Sequence, residues 1–64
     1  PMPAFHIDVT KGGSGWMAVL VGTDDSGEQD IQQSGIGRYA ERADAVKEAR
    51  EWADAEDVPC TLKD

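Results

Sequence analysis

Residues 39–58 read YAERADAVKEAREWADAEDV, and this stretch decides the fold. Its apolar residues recur at spacings of three and four, which places them along one side of a helix. They are Ala45, Val46, Ala49, Trp52 and Ala53. Most other positions are charged, and alanine and the long charged residues favour helices. We therefore predict one amphipathic helix, whose narrow stripe of small residues lets it lie close to a sheet.

Three segments before this helix have the patterns of β-strands. Residues 4–10 (AFHIDVT) alternate between apolar and polar, and residues 16–21 (WMAVLV) are apolar on both faces. Residues 28–37 (EQDIQQSGIG) alternate poorly, so we place a bulge at Gly35 that restores the register. The three glutamines of this third segment predict an edge strand with one solvated face.

The connecting segments predict how these strands pair. Residues 11–15 (KGGSG) and 22–27 (GTDDSG) contain turn-forming residues at hairpin length, so the strands should form an antiparallel meander. Residues 58–63 (VPCTLK) predict a short edge strand that can return parallel to the first. The predicted fold is α+β: a three-stranded antiparallel meander covered on one face by a single helix, with a short C-terminal edge strand (β-β-β-α-β).

The length of 64 residues predicts a single domain, residues 1–64, with residues 1–3 as a disordered or tag-derived start. A domain of this size buries only about 60% of its unfolded surface. One cysteine allows no internal disulfide, so association with another chain is an expected source of stability. The predicted core is Phe5, Ile7, Val9, Trp16, Ala18, Leu20, Ile31, Ala45, Val46, Ala49, Trp52, Ala53, Val58, Cys60 and Leu62.

The second strand predicts an interaction surface. A strand with two apolar faces is usually covered on both sides, but one helix covers only one side of a sheet. Met17, Val19 and Val21 share the face that the helix leaves uncovered. We predict that a second copy buries them in a homodimer. The alternative is that these side chains are exposed, as scattered surface hydrophobic residues often are.

Composition excludes several classes of partner. The net charge is −7, from thirteen acidic and six basic residues, which argues against direct binding of nucleic acid. Apolar runs fall short of the roughly 18 residues that a membrane-spanning helix needs, so we expect no membrane partner. Without a secretory leader, and with a lone cysteine that suits a reducing compartment, we expect a cytoplasmic protein of bacterial or phage type.

Few residues in the sequence suggest chemistry. His6, Asp8 and Thr10 form a polar row on the first strand, either a base oriented by a carboxylate or a solvated face. Cys60 lies in an apolar alternation typical of an inert thiol. The acidic residues between positions 24 and 30 lack the ligand spacing of a calcium loop. We therefore predict no enzymatic activity, no cofactor and no metal.

Part of the chain resembles a group of small, uncharacterised bacterial domains. The matching parts are the strand at residues 5–9, the Gly15-Trp16 pair, the helical alanines and residues 58–63. Such domains often have threonine as the helix N-cap, where this chain has Glu41. The order of three strands and a helix is also similar to that of HicB-like antitoxin domains. The first resemblance implies no activity.

Three function classes remain open. The first is a small acidic, non-catalytic interaction module that associates with itself or another protein through the uncovered face. The second is an acidic inhibitor, antitoxin or decoy that binds a basic or nucleic-acid-binding protein through helix carboxylates. Those carboxylates are Glu41, Asp44, Glu48, Glu51 and Asp54. The third is a small-ligand or enzymatic role, either around His6 or as a binder of small anions around Arg38 and Arg42 near the helix N-terminus.

Overall fold

The structure is a computed structural model that describes residues 4–62. Within them, three strands form one antiparallel sheet in the order β1-β2-β3, and one helix packs on β1 and β2. The elements are β1 (Ala4–Gly12), β2 (Gly15–Thr23), β3 (Gln29–Ser34) and α1 (Arg42–Glu56). This architecture confirms the predicted α+β meander with a helix on one face. The expectation for residues 1–3 lies outside the described residues.

The β1–β2 hairpin is longer and tighter than its sequence predicts. The ladder extends to the pair Gly12 and Gly15, which leaves a two-residue turn. Gly15 has φ 123°, and a Cβ built on it would lie 2.6 Å from the carbonyl oxygen of Tyr39. Trp16 and Tyr39 form a bridge there, with the Trp16 amide donating to the Tyr39 carbonyl at 2.7 Å. Glycine at position 15 therefore lets the segment before the helix approach β2.

The bulge in β3 lies at a different residue from the predicted one. Leu20 pairs with Gln33 and Val21 pairs with Ile31, so Gln32 is the extra residue. Gly35 lies beyond the strand, where its amide donates to the carbonyl of Ala18 at 2.8 Å. The prediction at Gly35 was wrong because that glycine serves the loop into the helix. β3 lies at the edge of the sheet, as its glutamines predicted, and is exposed throughout.

The predicted C-terminal strand is not formed within the described residues. A parallel bridge joins Ile7 to Cys60, beside β1 as expected. The Ile7 amide donates to the Pro59 carbonyl at 2.8 Å, and the Thr61 amide donates to the Ile7 carbonyl at 2.9 Å. Because Pro59 has no amide hydrogen, this segment pairs for too short a distance to make a strand. Residue 63, the end of the predicted strand, lies outside the described residues.

The core lies between α1 and the face of β1 and β2 that α1 covers. Its buried residues are Ile7, Val9, Ala18, Ala45, Ala49 and Ala53. Half-buried residues pack around them: Trp16, Leu20, Tyr39, Val46, Trp52, Val58, Cys60 and Leu62. Two predicted core residues are exposed instead, Phe5 at 44% and Ile31 at 55%. Phe5 packs over Gly22 outside this cluster, and Ile31 pairs with Val21 on the opposite face of the sheet.

Both helix ends have backbone features that the periodicity could not specify. The N-cap is Glu41, whose side chain makes no capping hydrogen bond within residues 4–62. Asp57 ends the helix in the left-handed conformation, with φ 56° and ψ 46°. The Val58 amide donates to the Ala53 carbonyl at 3.0 Å and the Asp57 amide to the Asp54 carbonyl at 3.4 Å. This is a Schellman ending, a position where glycine is usual.

Candidate interaction site

The open face is the side of the sheet that points away from α1. The β1–β2 pairs Asp8 with Val19 and His6 with Val21 belong to it, because their neighbours Ile7 and Val9 belong to the core. No helix or strand among residues 4–62 packs against this face. Its residues include His6, Asp8, Thr10, Met17, Val19, Val21, Gln29 and Ile31.

The predicted interface residues lie on the open face but are not all exposed. Val19 is 2% exposed and Val21 7% exposed, while Met17 is half-buried. β2 is the central strand, so side chains of both neighbouring strands flank its two valines. The accessible apolar surface of this face comes chiefly from Ile31. Sequence reasoning placed Ile31 in the core because it could not locate the bulge that sets its face.

A groove of about 710 Å³ runs across the open face. Its lining includes the apolar side chains of Val19, Val21 and Ile31. Asp8 also lines it and is 6% exposed, and one of its carboxylate oxygens accepts a hydrogen bond from the Val9 amide at 2.7 Å. The groove therefore combines an apolar lining with a largely shielded carboxylate. Such a mixture is typical of a binding surface.

The two arginines of the predicted anion site have different surroundings. Arg38 donates through Nη1 to the carbonyl of Gly35 at 2.7 Å and to that of Gly37 at 2.9 Å. Arg42, the first residue of α1, lines the groove, whereas Arg38 does not. The guanidinium of Arg38 thus stabilises the loop before the helix, and the groove does not bring the two arginines together.

Glu48 anchors that same loop from the helix. Its Oε1 accepts hydrogen bonds from the Tyr39 hydroxyl at 2.7 Å and the Gly37 amide at 3.1 Å. The hydrogen bond to Glu48 and, secondarily, burial raise the pKa of Tyr39 above its usual value. A Cβ on Gly35 or Gly37 would overlap the Glu48 carboxylate, so a larger residue at either position would force Glu48 to move.

Ile36 lies between those two glycines and is 98% exposed. The knob loop, residues 35–39, therefore presents an isoleucine to solvent on a backbone that Glu48 and Arg38 hold in place. Sequence reasoning missed this residue because it assigned Ile36 to the third strand. The glycines that flank it were the available signal.

The helix carboxylates do not form the uniform acidic row that a decoy would use. Glu48 serves the knob loop instead, as its hydrogen bonds show. Glu41, Asp44, Glu51 and Asp54 are exposed. Lys47 and Arg50 lie among them in the helix sequence, which interrupts the negative charge.

In the acidic loop between β2 and β3, the first carboxylate accepts hydrogen bonds from other residues of the same turn. Asp24 Oδ1 accepts hydrogen bonds from the Ser26 amide at 2.9 Å, the Ser26 hydroxyl at 2.7 Å and the Glu28 amide at 3.0 Å. The Ser26 hydroxyl is the main cause of a lowered pKa at Asp24. Across residues 4–62, His, Cys, Asp and Glu side chains form no group of three that could hold a metal ion.

Comparisons with known proteins find no relative. No family model matches the chain, and searches of curated proteins and of solved structures give no significant match. The resemblances to uncharacterised bacterial domains and to HicB-like antitoxin domains therefore stay predictions. In the described part of the chain, helix α1 is too short and too polar to cross a membrane.

Proposed function

We propose that this chain is a small non-catalytic protein-interaction module that associates with a second copy through its open face. The observation that carries the proposal is the groove, in which Ile31 is 55% exposed on a sheet face that no described element covers. The lone cysteine, Cys60, suits a cytoplasmic setting, where we place the module.

The thinness of the core supports association. Four of the six buried residues in the core cluster are alanines, and within residues 4–62 Ile7 is the sole large side chain buried completely. Ordering a chain costs about 1.5 kcal/mol per residue, against about 25 cal/mol for each Å² of apolar surface buried. Such a core leaves a 64-residue domain a small margin, and a contact on the open face would add to it.

The charges along the groove support a second copy as the occupant. Two acidic and two basic residues line it: Asp8, Asp30, Lys11 and Arg42. Lys11 pairs with Trp16 at the start of β2, and Arg42 begins the helix directly after the segment bridged to Trp16. Asp30 lines the groove at the other end of β2, at a ladder position opposite Gly22 that belongs to the covered face. The groove lining therefore carries equal numbers of acidic and basic residues, so a second copy of the same lining would meet no net charge there.

The net charge of −7 by itself opposes self-association. Because the lining of the groove is locally neutral, the repulsion there is smaller than the net charge suggests. Asp8 is already shielded from solvent in one copy, so a contact above it would remove little further hydration.

The test is the oligomeric state of matched variants. Ile31→Gln removes apolar surface from the open face without changing the charge. Gln33→Ala is the control, because Gln33 is an exposed β3 residue that pairs with Leu20 of the covered face. We expect sedimentation equilibrium to show a wild-type dimer at high micromolar concentration, about tenfold weaker association for Ile31→Gln, and no change for Gln33→Ala. A wild-type monomer at that concentration would contradict the proposal.

A further inference from the structure

We infer that Ile36 is the anchor of the self-contact and that it inserts into the groove of the second copy. This inference rests on the proposed function and adds to it the residue that carries most of the binding energy. Ile36 is exposed on a loop that hydrogen bonds hold in place, and this loop follows the strand that lines the groove.

Several hydrogen bonds hold the backbone around Ile36 in place. Two hydrogen bonds fix the backbone at Gly37, next to Ile36. The Gly37 amide donates to the Glu48 carboxylate, and the Gly37 carbonyl accepts from the Arg38 guanidinium. The Gly35 amide is bound to the Ala18 carbonyl. A side chain on such a fixed loop loses little conformational entropy on binding, which is how preorganised anchors gain affinity. An exposed isoleucine without that role would add only apolar surface to water.

The loop also determines the direction in which Ile36 projects. A Cβ built on Gly35 would overlap the end of the Glu48 side chain, and one built on Gly37 would overlap those of Tyr39 and Glu48. The flanking residues therefore face the helix, and the almost complete exposure of Ile36 places its side chain away from the helix. A side chain in that position is available to a partner that approaches the open side of the sheet.

The groove has the size and the lining to receive this side chain. An apolar cavity of about 150 Å³ can hold a benzene molecule, so the groove of about 710 Å³ has room for one isoleucine and its neighbours. Val19, Val21 and Ile31 line it, and Ile31, which is 55% exposed, offers most of the accessible apolar surface of these three. Few other described residues of this chain combine large apolar size with such exposure: Phe5 belongs to the covered face, and Ile31 is part of the groove itself.

The two features are close enough for a reciprocal contact. Val19, in the groove, pairs with Ser34, and the knob loop begins at the next residue, Gly35. In a twofold dimer each copy would insert its own Ile36 and receive that of its partner. Such an isologous contact closes at two copies, whereas a one-way insertion would continue into a filament.

Truncation of the anchor is the first test. We expect Ile36→Ala and Ile36→Gln to weaken the dissociation constant of the dimer by about tenfold or more, the size of effect seen at binding hot spots. Phe5→Ala is the control, because it removes exposed apolar surface from the other face of the sheet. Circular dichroism checks that each variant retains its helix, which is expected since Ile36 is almost fully exposed.

Cross-linking gives the second test, independent of affinity. In a Cys60→Ser background, a mixture of the Ile36→Cys and Ile31→Cys variants should form disulfides between copies under mild oxidation. A mixture of Ile36→Cys with Gln33→Cys should form far fewer, because residue 33 faces the covered side. Mass spectrometry of the digested dimer identifies the pair that is joined.

The outcomes separate this inference from the proposed function. A wild-type dimer that Ile36→Ala leaves unchanged, or that links residues 36 and 33 as readily as 36 and 31, overturns the role of Ile36 while self-association stands. A wild-type monomer overturns both. A filament that Ile36→Ala dissolves would retain the anchor and overturn the reciprocal arrangement.

Discussion

The two faces of the sheet show how one strand can serve two purposes. On the covered face, Ala18 of β2 is completely buried beneath the alanine stripe of α1. On the open face, the adjacent Val19 is shielded only by its neighbours in the sheet, and Ile31 beside it is largely exposed. Both faces are apolar in sequence, so hydrophobicity does not distinguish them. The cover, one helix of limited width, therefore decides which apolar residues become core and which become surface.

The largest expected effect is a loss of stability when a buried side chain of the covered face is truncated, compared with the same truncation of an exposed side chain on the open face. Ile7→Ala should cost about 2–5 kcal/mol, because Ile7 is completely buried on the covered face. A domain of this size has roughly 3–10 kcal/mol of stability in total, so this variant should be partly or wholly unfolded. Ile31→Ala should change the monomer by less than about 0.5 kcal/mol. Urea unfolding, at a concentration where the protein is monomeric, measures both values. Equal losses for the two variants would show that the faces do not differ as described.

A smaller effect is expected where the helix ends, away from both faces. Asp57→Gly should stabilise the fold by up to about 1 kcal/mol, because glycine adopts the left-handed conformation without strain and a negative charge is removed from the helix C-terminus. Glu51→Gly is the control, since the same substitution inside the helix should cost about 0.5–1 kcal/mol. Thermal unfolding followed by circular dichroism measures both. A loss of stability in Asp57→Gly would contradict the strain argument.

The smallest expected effect is a pH dependence in the knob loop, which lies between β3 and α1. The hydrogen bond to Glu48 raises the pKa of Tyr39. The stability that this hydrogen bond contributes is therefore complete below the unfolded-state pKa of Tyr39, about 10.0, and is lost as the pH rises through the raised folded-state pKa. Tyr39 is the only tyrosine in the chain, so ultraviolet absorbance of tyrosinate reports it alone.

The variant Glu48→Gln should bring the pKa of Tyr39 back towards 10.0, because it removes the carboxylate that accepts the phenol hydrogen. The control is Glu51→Gln, whose carboxylate acts on Tyr39 only through the weakest of the charge interactions and should cause a smaller change. If Glu51→Gln shifts the titration as much as Glu48→Gln, the hydrogen bond is not the main cause.

Much of the fold could be predicted from local patterns. The alanine spacing placed the helix, and the alternation around Ile7 placed the first strand, because helical and strand periods arise from backbone geometry alone. The candidate site was predicted less well. Met17, Val19 and Val21 were assigned to the uncovered face, but their accessible area depends on neighbouring strands. Ile31, Ile36 and the role of Glu48 were missed because each depends on a contact between residues distant in sequence.

Local sequence was enough to specify the helix, the three strands of the meander, the faces of the first two strands and the surplus of apolar residues over what one helix can cover. Those properties depend on spacings of two, three and four residues, which any stretch of chain carries with it. The bulge at Gln32, the shielding of Asp8 and the fixed exposure of Ile36 arise only in the folded chain. Each of these results from a close approach between segments, such as Glu48 to Gly37, that no local pattern specifies.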